Sequence, residues 1–351
     1  MSSSDKISRR SFGALAAAAV MLPAQAHRAP RPMKSKLIKP PRLHPGDLVG
    51  LIAPGGVASE KYIERAVANI EKLGFRCKPG ANLRAVHGKY AGSVQQRVAD
   101  VHAMFADPEV KAIWCIRGGS GCISILSSLD YKMIRAHPKV LLGYSDITAL
   151  HLALFRHAGL VTFHGPVAIS GESAYARTHM LNVLMDPQPS YTIPMAPENA
   201  LKSVEAPHFA VRTVNHGQVE GRLIGGNLSL VSALMGTPYA ADFRKRILFL
   251  EEVNEEPYRI DRWMTQLDLA VGFKHAAGVM VGICDNCGPV EGEPSLTLDE
   301  TLDLHLKPLV QPAVTGYSFG HIRHQFTMPV GVRARLDTLR QSVTLLEAGV
   351  T

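Results

Sequence analysis

The chain is 351 residues long, enough for two domains of ordinary size and too short for four. Apolar types make up 46% of it and charged types 19%, so it can bury a real core, which excludes a collagen, a long coiled coil or a mostly disordered protein. The formal charge is +8, yet residues 43–351 hold equal numbers of basic and acidic groups. The excess sits in the first 42 residues, so it marks a leader and a tether and implies no nucleic-acid-binding face.

Residues 1–26 read as a cleavable export signal. Ser8-Arg9-Arg10-Ser11-Phe12 precedes an apolar run over 13–22, and small residues stand at the −3 and −1 positions before His27. The paired arginines with a nearby phenylalanine point to the twin-arginine route and a periplasmic destination. The apolar run is too short to cross roughly 30 Å of hydrocarbon, so no permanent membrane span is expected. Residues 27–44, proline-rich and basic, read as an extended linker.

The body begins with an apolar strand over 48–53 that stops at Pro54-Gly55-Gly56. Helical spacing follows over 63–73 and again over 94–105, where Asp107-Pro108 ends it. Buried strands are predicted over 110–116 and 140–143, a helix over 147–155 and a strand over 160–163. Strands alternating with helices mean a parallel sheet covered on both faces, so residues 45–185 form an α/β domain. A polar stretch over 186–215 reads as a connection. Residues 216–351 then carry strands at 219–224, 247–251, 278–283, 314–317 and 342–346 with helical segments between them, a mixed α/β domain.

Several segments carry chemistry. Gly118-Gly119-Ser120-Gly121 follows a strand and can present backbone N–H groups to an anion, although it lacks the third glycine of a dinucleotide fingerprint. Ser145 stands where a buried strand meets a helix, a position that exposes a nucleophile beside the helix's first N–H groups. Read alone, that segment is an ordinary helix cap. Glu251 and Glu252 end a greasy strand, and His321 follows another, with His324 three residues on. His-x-x-His without a third ligand makes no metal site, and neither metal nor cofactor is expected. The five cysteines, Cys77, Cys115, Cys122, Cys284 and Cys287, are odd in number and scattered, so they read as thiols rather than a disulfide framework. Serine, carboxylate and histidine thus fall at the carboxyl ends of three separate strands, where open α/β sheets place their sites.

These motifs together resemble one family. Pro45-Gly-Asp-Leu, Ile52-Ala-Pro-Gly, Arg117-Gly-Gly-x-Gly121, Gly143-Tyr-Ser-Asp-Ile-Thr148, Thr162-x-His-Gly-Pro166, Gly221-x-Leu-Ile-Gly-Gly-Asn-Leu228, Leu250-Glu-Glu-Val-Asn254, Pro257-Tyr-Arg-Ile-Asp-Arg262 and Gly320-His321 occur in the order found in the LD-carboxypeptidases. These are the muramoyltetrapeptide carboxypeptidases, serine peptidases grouped with the microcin self-immunity hydrolases. The resemblance covers nearly all of 45–348. It implies an N-terminal flavodoxin-like parallel-sheet domain, a C-terminal mixed α/β domain and a Ser-His-Glu triad: Ser145 as nucleophile, His321 as base and Glu251 as its orienter. Glu251 is preferred to Glu252 because the family places the acid first in this motif.

The implied reaction releases the terminal D-alanine of a peptidoglycan tetrapeptide. Backbone N–H groups of Gly119 and Asp146 would form the oxyanion hole, and Arg117 would grip the substrate's free carboxylate, unless it serves a structural salt bridge instead. The family also suggests a homodimer. Two other readings remain: a hydrolase of acyl-sulfamoyl or aminoacyl nucleotides on the same fold, and a periplasmic protein that binds wall peptide without cutting it.

Overall fold

A computed structural model describes residues 36–351; the segment read as a twin-arginine signal and most of the expected linker lie outside the described residues. Strands β1 (Leu48–Ile52), β2 (Arg76–Pro79), β3 (Val110–Cys115), β4 (Val140–Gly143) and β5 (Thr162–His164) run parallel in the order β2-β1-β3-β4-β5. That is the flavodoxin-like order of a doubly wound sheet. Its central strands are buried almost throughout, as the uninterrupted apolar runs require when helices cover both faces. Helix Glu60–Lys72 starts on a Ser59 cap, and helix Val94–Ala106 on a full capping box between Ser93 and Gln96.

The second sheet is mixed. Its members are β6 (Tyr191–Ile193), β7 (Arg212–Asn215), β8 (Gln218–Asn227), β9 (Ile247–Glu251), β10 (Gly278–Gly282) and β11 (Ala313–Tyr317), with β13 (Arg333–Asp337) and β14 (Ser342–Leu345). Strands β8 to β11 pair in parallel at its centre, and antiparallel strands flank them. The polar connection is therefore partly sheet, since β6 and β7 lie inside it. The remaining strand, β12 (Met328–Val330), pairs antiparallel with β5 and so extends the first sheet with a segment from the C-terminal part of the chain.

This crossing fixes the relation of the two sheets. After β11 the chain returns to the first sheet at β12, and the loop between them, which carries His321, must span the junction. At the other end, Asn227 at the close of β8 donates its backbone N–H to Thr148 Oγ1 at 3.0 Å. Residues 37–43 run extended over the body: Ile38 bridges to Leu160, and Leu43 is buried. No described helix is long and apolar enough to cross a membrane.

Candidate active site

The carboxyl ends of both sheets face one junction. From the first sheet come the loop after β1 (Pro54, Gly55, Gly56), the loop after β3 (117–121), the turn after β4 (Ser145) and the end of β5 (His164). From the second come Glu251 at the end of β9 and the loop after β11.

Ser145 opens a 3₁₀ turn, Ser145–Ile147, that runs directly into helix Thr148–Ala153. Its φ is 66°, a left-handed conformation that a non-glycine residue adopts only under constraint. The constraint comes from both sides. Gly118 packs so closely that a Cβ there would lie 2.7 Å from Ser145 Cβ and 2.9 Å from its Oγ. On the other side Asp146 is buried, and its Oδ2 accepts the Cys122 N–H at 2.9 Å, tying the glycine loop to the serine turn. The side chain of Asp146 is thus a strut, and its backbone N–H lies beside Gly118.

Glu251 and His321 meet. His321 Nδ1 lies 2.6 Å from Glu251 Oε2, and the glutamate is fully buried. Burial alone would lower the histidine's pKa, but the charge of Glu251 and the hydrogen bond to it hold it above the ordinary imidazole value. Burial likewise disfavours the Glu251 carboxylate, and His321 more than offsets this, so the carboxyl stays below its usual value. Gly320, with φ 123°, lets the loop turn this close; a Cβ there would lie 3.2 Å from Glu251 Cβ. Tyr144 packs edge-on against the His321 ring, centroids 4.7 Å apart. Ser145 is therefore next in sequence to the ring that holds His321. Among the described residues no hydrogen bond joins Ser145 Oγ to His321.

The neighbouring candidates separate cleanly. Glu252 accepts Asn227 Nδ2 at 2.8 Å and the Ser229 N–H at 2.9 Å, so it braces the start of helix Leu228–Ala233. His324 points elsewhere, to Ser173 Oγ at 3.0 Å and Glu198 at 3.6 Å, so the two histidines of His-x-x-His diverge. Among the described residues no group of three or more His, Cys, Asp or Glu is placed to hold a metal. Arg117 donates to the Val57 carbonyl at 3.3 Å and lies over the Tyr62 ring. It has no carboxylate partner among the described residues, so the structural salt bridge is not made. All five cysteines are free thiols.

One residue at this junction has no role in the sequence reading. His164 is completely buried, and its Nε2 lies 3.8 Å from Glu251 Oε1. That oxygen and both ring nitrogens lack hydrogen-bond partners among the described residues. Burial pushes the His164 pKa down to about 4, so the ring is neutral at neutral pH. The triad-type carboxylate thus stands between two imidazoles, His164 at the end of β5 and His321 in the loop after β11. The Thr162-x-His-Gly-Pro166 motif was the available signal, but nothing in it says which carboxylate the ring faces.

The chain belongs to the LD-carboxypeptidase family. The family's N-terminal domain model matches residues 49–165 and its C-terminal domain model residues 220–336. Among curated relatives, a probable murein peptide carboxypeptidase of Bacillus subtilis is 38% identical over 319 residues, covering 89% of this chain and 95% of that protein. The murein tetrapeptide carboxypeptidase of Pseudomonas aeruginosa is 32% identical over 293 residues, covering 82% and 92%. Among solved structures, an MccF-like protein from Bacillus anthracis superposes with a TM-score of 0.77 at 28% identity, covering 88% of this chain and 99% of that one. A muramoyltetrapeptide carboxypeptidase from Oxalobacter formigenes gives 0.72 at 27%, covering 85% and 97%. Membership makes this protein a serine-type carboxypeptidase.

Proposed function

We propose that the protein removes the terminal D-alanine from muropeptide tetrapeptides, with Ser145, His321 and Glu251 as its triad. The observation that carries this reading is the 2.6 Å contact between His321 and Glu251 beside a serine held at φ 66°. Ser145 Oγ attacks the carbonyl before the terminal D-alanine. His321 takes the hydroxyl proton at Nε2, while its Nδ1–H stays on Glu251 and fixes the tautomer. The tetrahedral oxyanion is stabilised by backbone N–H groups of Gly119 and Asp146, each such donor contributing roughly 3–4 kcal/mol. The proton then passes from His321 to the leaving amine, and water, activated by the same imidazole, releases the shortened peptide. Arg117, free of any carboxylate among the described residues, receives the substrate's terminal carboxylate.

The leader directs this activity to the periplasm, where the wall peptide lies. A mature chain incubated with a disaccharide-tetrapeptide releases D-alanine, read by mass spectrometry. Ser145→Ala lowers kcat by about 10⁴–10⁶-fold while leaving the circular dichroism spectrum unchanged. Undiminished release by that variant overturns the assignment. The Microcin C7 self-immunity protein MccF of Escherichia coli, 25% identical over 332 residues, motivates a second substrate arm with an aminoacyl-sulfamoyl nucleoside. Turnover in that arm alone selects the nucleotide reading.

A further inference from the structure

A second cavity lies away from the catalytic junction, at the far end of the helical run that Ser145 begins. Helix Thr148–Ala153 continues as a π-helical turn, Leu154–Ala158, and ends at Gly159 in the left-handed conformation. Over the 14 residues from Ser145 to Ala158, at about 1.5 Å per residue, the two ends of the run stand roughly 20 Å apart. The cavity at its C-terminal end has a volume of about 440 Å³. Three arginines line it, Arg156 from this helical run, Arg222 from β8 and Arg246 just before β9, with Asp242 the lone acid of the lining. Leu152, Phe155 and Ile224 form an apolar wall.

The positive charge in the cavity is not neutralised from within. Asp242 is held at both oxygens by Arg244, at 2.9 Å each. Arg222 pairs with Glu347, which Lys39 shares on its other oxygen. Among the described residues Arg156 donates only to the Ala240 carbonyl, at 2.7 Å, and its Nε is buried without a partner there. Arg246 donates to the Asp242 carbonyl and lies over the Phe155 ring. Burial holds Arg246 below the usual arginine range; Asp242 opposes this, but Arg156, Arg222 and Arg244 add to it, so the guanidinium groups feel one another.

We infer that this cavity is a binding site for a small phosphomonoester, distinct from the peptidase site. Guanidinium forks match phosphate oxygens two at a time, and forks arriving from separate elements suit a tetrahedral anion better than a planar carboxylate. The volume exceeds what a bare phosphate needs and falls in the range of small-molecule pockets, so the apolar wall takes an organic substituent. Phe155, already under Arg246, sets a preference for a flat group.

The test is calorimetric titration of the full mature chain at low ionic strength with phenyl phosphate and, separately, with inorganic phosphate. Saturable binding of phenyl phosphate is expected, with weaker binding of inorganic phosphate. Equal affinities would place the recognition in the phosphate alone and overturn the organic-substituent part. The double variant Arg156→Gln/Arg246→Gln should bind about 100-fold more weakly, since each lost charge-assisted contact costs roughly tenfold or more. Hydrogen exchange on the wild type, which needs no variant to fold, should show phenyl phosphate protecting amides in 155–160 and 240–246. No binding by the wild type, unchanged affinity in the double variant, or protection confined to the Ser145 junction overturns the inference.

Discussion

At the scale of single residues, the site turns on how His321 is charged. Free imidazole titrates near about 6.5, and Glu251 holds His321 above that value, so the free enzyme carries an imidazolium in mildly acidic solution. A base must be neutral, so kcat/KM should rise with pH through that elevated value. Glu251→Gln removes the main opposing charge and leaves burial opposed only by the lesser charges of Glu252 and Asp285. The acid limb should then move to lower pH while the maximum falls by about 10³–10⁴-fold, the loss expected when an imidazole is no longer held in its useful tautomer. The pH profile on a tetrapeptide measures both effects, and an unmoved acid limb would show that Glu251 does not set the charge of His321. The sequence placed Ser145, Glu251 and His321 at or just past the ends of apolar strands, and it was the resemblance to the family that gave them triad roles. It could not show that Glu252 braces a helix or that His164 faces the other oxygen of Glu251, since those facts belong to contacts between strands far apart in the chain.

At the scale of elements, the last residues of β8 hold the two sheets together. Gly225 and Gly226 have φ of 145° and 140°, and a Cβ on Gly225 would lie 1.8 Å from the Phe249 carbonyl oxygen, so only glycine allows β8 to close on β9 there. A Cβ on Gly226 would lie 2.5 Å from Thr148 Oγ1, which accepts the Asn227 N–H at 3.0 Å. Thr148 is fully buried, so Thr148→Val leaves that N–H without a partner. The expected loss is about 1–3 kcal/mol in denaturant unfolding, with Thr148→Ser losing less because it keeps the acceptor. Equal losses for the two variants would assign the effect to packing. The Gly-Gly-Asn motif was visible in the sequence, but its reason, an approach between sheets, was not. Strand length set what else was legible. The central strands are apolar runs bounded by turns, whereas β2 reads Arg-Cys-Lys-Pro on an exposed edge and β12 has three residues, so neither carries a periodic signal.

At the scale of the whole molecule, the buried histidines make stability depend on pH in a definite direction. His151 donates from Nε2 to the Gly143 carbonyl at 2.8 Å, and burial, with His164 nearby, pushes its pKa down to about 3; that of His164 falls to about 4. Both rings are neutral in the folded protein, while in the unfolded chain they take up protons near about 6.5. Between those values the unfolded state binds more protons, so folding stability falls as pH drops from about 6.5 towards 4. His321 has the opposite sign: its contribution is present below the unfolded value and is lost as pH rises through the elevated folded one. His102 and His179 are lowered by burial as well, so the lowered histidines outnumber the one raised and leave a net acid-side loss, to which His164 alone contributes on the order of 3 kcal/mol. The melting temperature should therefore fall steeply between pH 7 and 4. His164→Gln, which cannot take up that proton, should flatten the slope whatever it does to stability at neutral pH. A variant as steep as the wild type over that interval would mean that His164 gains its proton without cost to the fold, and that its ring is not sealed against Glu251.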